Sequence, residues 1–173
     1  MTRRLVAEIG SCNGDLSLAM DTAEAALDAG ASWVKGQMFT ADRLVTKDAV
    51  GYGKKSITEV ATQHAAFTRA LTYDQWHTVS VVCKGRFFAS VFDLEACVEY
   101  PYDYPFIKIA SADITYRALI EAAAGTGRKV IMSTGAATLG EINRARKWIA
   151  TSNPVMLACT LSYPTAPRDA NVN

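Results

Sequence analysis

The chain has 173 residues, half of them hydrophobic and one-fifth charged, and a net charge of +1. That length leaves room for one domain with a true core, because chains of this size bury about two-thirds of the surface they expose when unfolded. A near-neutral charge without any Lys/Arg-rich run argues against a protein built around nucleic acid. No apolar run approaches the roughly 20 residues of a membrane span. The start, MTRRLVAEIG, passes from two arginines straight into a short strand in place of a signal-peptide core, so the expected location is the cytoplasm. Cys12, Cys83, Cys97 and Cys159 lack CxxC spacing and read as free, mostly buried thiols. With His64 and His77 the only histidines, a multi-histidine metal site within this chain is not expected.

Arg4 to Ile9 reads as a first strand carrying Glu8 at its end, and Gly10 to Gly14 as a turn. Leu16, Met20, Ala23 and Leu27 recur at helical spacing, which predicts a helix from about Leu16 to Ala29 that stops at Gly30. Ser32 to Met38 is the second strand, and its two-residue period puts Lys35 and Gln37 on one face. Phe39 to Phe67 has no sustained period and contains Gly51 and Gly53. It is too long for an ordinary strand-to-helix connection and reads as an insertion near the strand-end face. Thr72 with Gln75 is a capping-box pair opening a helix with Trp76, Val79 and Val82, which ends near Gly85. His77 lies in that helix as a surface or packing residue.

Phe87 to Val91 is the third strand, with Ser90 near its end, and a short helix begins at Asp93. Pro101 and Pro105 frame a loop into the fourth strand, Phe106 to Ala110. Thr115 is expected to cap a helix to Ala124, ended by Gly125 and Gly127. Lys129 to Met132 is the fifth strand. Thr138 and Glu141 form a second capping box for a helix to Ala150, and Asn153 and Pro154 lead to a sixth strand, Val155 to Cys159. Continuous apolar strands alternating with helices predict a parallel sheet covered by helices. The expected fold is α/β, of the (β/α)8 TIM-barrel type but incomplete, with about six units present, since such a barrel usually takes about 250 residues. Residues 1–173 read as a single partial barrel domain. Strands one and six would be open edges, which predicts marginal stability or self-association, as a homodimer or otherwise.

Lys108, Ser111, Asp113, Ser133 and Thr134 all sit where the fourth and fifth strands give out, the place where α/β enzymes present reactive groups. Lysines and serines at strand ends suit a phosphorylated carboxylate, and Glu8 and Asp113 suit proton transfer. Burying Lys35 or Lys108 without an anionic partner is costly, which favours a ligand-binding role for both. Ser133 reads equally as a helix cap, and Tyr163 equally as a packing residue.

The segments AEIG, NGDL, VKGQMF, FDLEA, KIASADIT, VIMSTGAATLGEI and CTLSYPT, in this order, resemble the sialic acid synthase family, which includes N-acetylneuraminate synthase and its pseudaminic and legionaminic acid relatives. The resemblance implies a carbon–carbon bond-forming transferase of carbohydrate biosynthesis. Such an enzyme condenses phosphoenolpyruvate with N-acetylmannosamine or a related N-acyl sugar to a nonulosonic acid and releases phosphate. It implies that Lys35, Lys108, Ser111, Ser133 and Tyr163 hold phosphoenolpyruvate, that Glu8 and Asp113 are catalytic, and that Gln37, Ser90 and Thr134 line the pocket. It also implies Mn2+ or Mg2+, whose ligand histidines have no counterpart in this chain, and an antifreeze-like C-terminal domain that is likewise expected to be absent. Three departures accompany the match: a turn after AEIG one residue short, Ala158 where the family has histidine, and Leu161 where it has Asn or Ser. Two further readings stay open. One is a catalytically inactive barrel that keeps phosphoanion binding or serves assembly. The other is metal-free aldol cleavage through a Schiff-base lysine.

Overall fold

The computed structural model describes residues 4–51, 62–101, 103–149, 153–162 and 164–170. Six strands, β1 (Val6–Gly10), β2 (Trp33–Met38), β3 (Phe87–Val91), β4 (Phe106–Ile109), β5 (Lys129–Ser133) and β6 (Val155–Leu157), form one sheet in chain order. Every neighbouring pair is parallel. Among the described residues the connections carry seven α-helices: α1 (Leu16–Asp28), α2 (Ala41–Leu44), α3 (Gln63–Phe67), α4 (Tyr73–Val82), α5 (Leu94–Val98), α6 (Arg117–Gly125) and α7 (Leu139–Trp148). None of the described helices is long and apolar enough to cross a membrane.

The sheet is curled, and its aromatic side chains show why. Trp33 on β2 and Phe106 on β4 meet edge to face with ring centroids 4.9 Å apart, although β3 lies between their strands. Two strand spacings of a flat sheet are about 9.5 Å. Phe88 on β3 also meets Phe106, at 5.4 Å, so these rings form the floor of a concave face. The result is a half-barrel, the incomplete TIM-type barrel that the sequence predicts.

The convex face takes the opposite residues of each strand. Val34, Met38, Phe87, Ala89, Val91, Ile107, Ile109, Val130 and Met132 are buried in one hydrophobic cluster with residues of the covering helices. On β2, Trp76 of α4 lies so near the backbone that a Cβ on Gly36 would stand 2.7 Å from its ring. Trp76 stacks on Phe87, which packs against Tyr104, whose hydroxyl donates to the Trp76 carbonyl at 3.1 Å. Tyr100 ties two strands together: its oxygen accepts from Ala89 N–H at 2.8 Å and donates to the Phe106 carbonyl at 2.7 Å.

Both capping boxes form as their sequence pairs predict, at Thr72–Gln75 and Thr138–Glu141. Other expectations need correction. Thr115 does not cap α6. Tyr116 holds the cap position without a side-chain hydrogen bond, because the 3-10 turn Ser111–Asp113 runs into the helix and the Asp113 carbonyl already accepts from Tyr116 N–H at 2.8 Å. β6 ends at Leu157 and not Cys159, since its ladder partner β5 ends at Ser133 and the Leu157 carbonyl accepts from the turning Thr134 N–H. β1 starts at Val6, where its pairing with Trp33 begins. The insertion contains α2 and α3, each too short to show a period, and a bridge between Val50 and Thr62. Only Cys83 and Cys97 are buried, while Cys12 is half-buried and Cys159 exposed. Gly53, Ala150 and Tyr163 lie outside the described residues.

Replacing Gly36 by Ala drives a methyl into the Trp76 and Phe87 rings, with a cost of about 1–3 kcal/mol in the range seen for overpacked cores. Urea unfolding of the variant against the parent measures it.

Candidate functional site

The concave face is built by strand period and register. Glu8 stands opposite Lys35, Gln37 opposite Ser90, and Ser90 opposite Lys108, so these side chains share one face. Ser133 enters the same face from β5, opposite Leu157. The N-terminal half of this face is the aromatic floor and the C-terminal half is a polar cup.

Within the cup, Lys35 Nζ forms an ion pair with Glu8 Oε2 and donates to Ser90 Oγ at 2.8 Å. The other carboxylate oxygen of Glu8 accepts from Gly10 N–H at 2.9 Å. Lys108 is more deeply set, 6% exposed, and its Nζ donates to the Ile109 carbonyl at 2.5 Å. Burial pushes its ammonium down to about 8, and the Lys35 charge adds to that, against smaller opposing effects of Cys159, Glu8 and Asp113. Asp113 leads out of β4 on the 3-10 turn. Its Oδ2 is buried without a hydrogen-bond partner, and burial raises its carboxyl to about 6 in spite of Lys108.

The remaining predicted residues close the rim. Ser111 Oγ accepts from Gly135 N–H at 3.2 Å, which joins the β4 turn to the β5 loop. Ser133 and Ser90 are buried. The Thr134 hydroxyl donates to the Leu157 carbonyl at 2.9 Å and so fastens β6 to the end of β5. Cys159 and Gly10 were not singled out by sequence reasoning. For Cys159 the signal was its place two residues beyond Leu157, and for Gly10 its place two residues beyond Glu8. His77 is exposed, consistent with a surface role.

A cavity of about 500 Å³ lies elsewhere, between α2 and the start of α4, lined by Phe39, Phe67, Leu71 and Tyr73 among others. None of the strand-end residues above lines it, and the cup itself is an open concavity. A divalent cation of the kind the sequence resemblance implies takes about six oxygen ligands. Among the described residues no group of three His, Cys, Asp or Glu side chains is placed to hold a metal ion. The cup also holds two lysines, and one of its two carboxylates is already paired with Lys35. These residues do not by themselves fit the metal.

The sequence matches the profile of the NeuB family over residues 22–173. It is 30% identical to the N,N'-diacetyllegionaminic acid synthase of Campylobacter jejuni over 181 residues, which covers 97% of this chain and 54% of that protein. Against the pseudaminic acid synthase of Helicobacter pylori it is 29% identical, over 98% of this chain and 53% of the other. The crystal structure of the N-acetylneuraminic acid (sialic acid) synthetase from Leptospira borgpetersenii, in complex with citrate, superposes with a TM-score of 0.81 at 28% identity, covering 96% of this chain and 57% of that one. The chain spans about half the length of the curated relatives it matches.

The two shifted groups set opposite pH dependences. Asp113 holds its proton more tightly when folded, so stability falls as pH rises from 3.8 through about 6. Lys108 holds its proton less tightly when folded, so stability rises as pH climbs from about 8 towards 10.5. Denaturant midpoints followed across both windows are expected to lose the acidic limb in Asp113→Asn and the alkaline limb in Lys108→Met.

Proposed function

The chain belongs to the NeuB family, and on that footing we propose that its polar cup is the phosphoenolpyruvate-binding part of a sialic, or nonulosonic, acid synthase. The proposed reaction joins phosphoenolpyruvate to N-acetylmannosamine or a related N-acyl sugar and releases phosphate. The observation that supports this reading is the gathering of Lys35 and Lys108 with Ser90 and Ser133 on one concave face, with a carboxylate paired to only one of the two lysines. Two cations with hydroxyl donors are the fixed groups a phosphorylated carboxylate needs.

In this proposal Lys35, Lys108, Ser111, Ser133 and Tyr163 hold phosphoenolpyruvate, and Gln37, Ser90 and Thr134 line its pocket. The methylene carbon of phosphoenolpyruvate bonds to the aldehyde carbon of the sugar, and the aldehyde oxygen takes up a proton. Asp113, whose carboxyl is pushed up to about 6, is suited to give that proton. Water adds at the carbon that bore the phosphate, phosphate leaves, and Glu8 accepts the proton of the water. Among the described residues no group of three His, Cys, Asp or Glu side chains is placed to hold Mn2+ or Mg2+, so none of these steps passes through a metal ion. Self-association belongs to the proposal as well, supported by the outer edges of β1 and β6, which have no neighbouring strand among the described residues.

A second reading is an inactive barrel that retains phosphoanion binding, or serves assembly, and the lack of a three-ligand group among the described residues favours it. One set of measurements decides. Phosphate release from phosphoenolpyruvate with N-acetylmannosamine and Mn2+, lost in Glu8→Gln, supports the synthase. Binding without release supports the remnant, and absence of binding overturns both. Charge-assisted hydrogen bonds are worth about 1.5–3 kcal/mol each. Lys35→Met or Lys108→Met is therefore expected to weaken phosphoenolpyruvate binding at least about tenfold by calorimetry.

A further inference from the structure

The two lysines of the cup are not equivalent, and the difference is built by the first strand. Its ladder with β2 shifts register between Glu8 and Gly10. Gly10 adopts φ +63, a left-handed conformation that costs a glycine little, and turns its N–H back onto Glu8 Oε1. One carboxylate oxygen is thereby clamped to the backbone while the other lies on Lys35. Lys35 in turn is held from the other side by Ser90. Lys108 has no such arrangement: its ammonium donates to a backbone carbonyl, and among the described residues no carboxylate forms an ion pair with it.

We propose that Glu8 is an internal anion that occupies Lys35 in the ligand-free cup, and that a phosphoanion binds by displacing the Glu8 carboxylate from Lys35. The inference rests on the phosphoenolpyruvate reading and adds a competing step to it. The geometry carries it for three reasons. Ser90, Glu8 and, at 3.5 Å, the Gly36 carbonyl take up the three N–H directions of Lys35, so an entering phosphate oxygen reaches that ammonium by displacing one of them, and the two side chains are its closest contacts. Of the two, Ser90 is fixed in the middle of a three-strand ladder and 3% exposed, whereas the Glu8 side chain is 43% exposed on the outermost strand. The Gly10 N–H remains with Glu8 after the exchange, so the freed carboxylate keeps a donor and stays near the cup.

The test compares the parent chain with Glu8→Gln and Glu8→Asp, using phosphoenolpyruvate and inorganic phosphate as probes in calorimetry. Glutamine removes the charge, and aspartate keeps the charge while shortening the reach to Lys35. Both variants are expected to bind the probes tighter, roughly two- to fivefold, which is what a partly exposed ion pair is worth. Glu8→Gln loses turnover at the same time. Equal or weaker binding by Glu8→Gln overturns the inference. So does tightening in Glu8→Gln without tightening in Glu8→Asp, because that pattern is the long-range field of a charge and not a broken contact. A second measurement uses the unaltered chain, in which phosphoenolpyruvate is expected to increase carbodiimide labelling of Glu8 as the pair opens. Unchanged labelling in the presence of bound phosphoenolpyruvate overturns it. If neither the parent nor the variants bind either probe, the phosphoenolpyruvate reading itself fails. Binding by the parent with no gain in the variants defeats only the displacement step.

Discussion

A lysine ammonium sunk into a sheet face with one backbone acceptor is the constraint from which the rest of the site follows. Lys108 is buried, has a second lysine for a neighbour, and loses part of its affinity for its proton as a result. Such a position is costly in a protein interior, where cations ordinarily come with carboxylates in contact. Glu8 compensates one of the two lysines and Asp113, reluctant to ionise, only weakly offsets the other. The face holds two lysines and two carboxylates, yet among the described residues only Lys35 has a carboxylate in contact, and Lys108 is left with a backbone carbonyl. An anionic ligand in contact with Lys108 supplies the missing partner, which is the electrostatic reason to look for function at this end of the strands.

The cost is tolerable because the scaffold beneath it is rigid. On the convex side Trp76 presses into the space left by Gly36, and the Trp76, Phe87, Tyr104 and Tyr100 rings follow one another in contact. On the concave side Trp33, Phe88 and Phe106 fill the curl below the lysines. Close-packed rings have few alternative arrangements, so the strand ends above them keep their spacing. The inserted segment after β2 is fastened by polar contacts. Arg43 of α2 pairs with Glu95 and lies 3.8 Å from Asp93 at the start of α5, and His64 of α3 lies 2.8 Å from Asp42.

The relatives that share this sequence are about twice as long, and the comparison gives the polar cup its context. Members of the same family carry the names of sialic, legionaminic and pseudaminic acid synthases, and the sheet of one of them superposes on this one over nearly the whole chain. The half described here gathers Lys35, Lys108, Ser90 and Ser133 on one sheet face, the groups proposed to bind the anion. It does not hold, among the described residues, a ligand set for a metal.

Much of the architecture was legible in local patterns. Runs such as FFASV and KVIMS read as buried strands because both faces of a covered parallel sheet are apolar. Thr72–Gln75 and Thr138–Glu141 announced two helices because a capping box is a contact between residues three apart. Other features were hidden for equally physical reasons. The cap of α6 depends on a preceding 3-10 turn, the end of β6 on where its neighbour stops, and α2 and α3 are too short to show a period. By itself the sequence determined the order of the strands and of the helices other than α2 and α3, and which residues share a strand face, since these follow from patterns within a few residues. The curl that brings β2 to β4, the pairing of Glu8 with Lys35, and the isolation of Lys108 were decided only by tertiary structure. They depend on register and distance between segments far apart in the chain, and no local period encodes those.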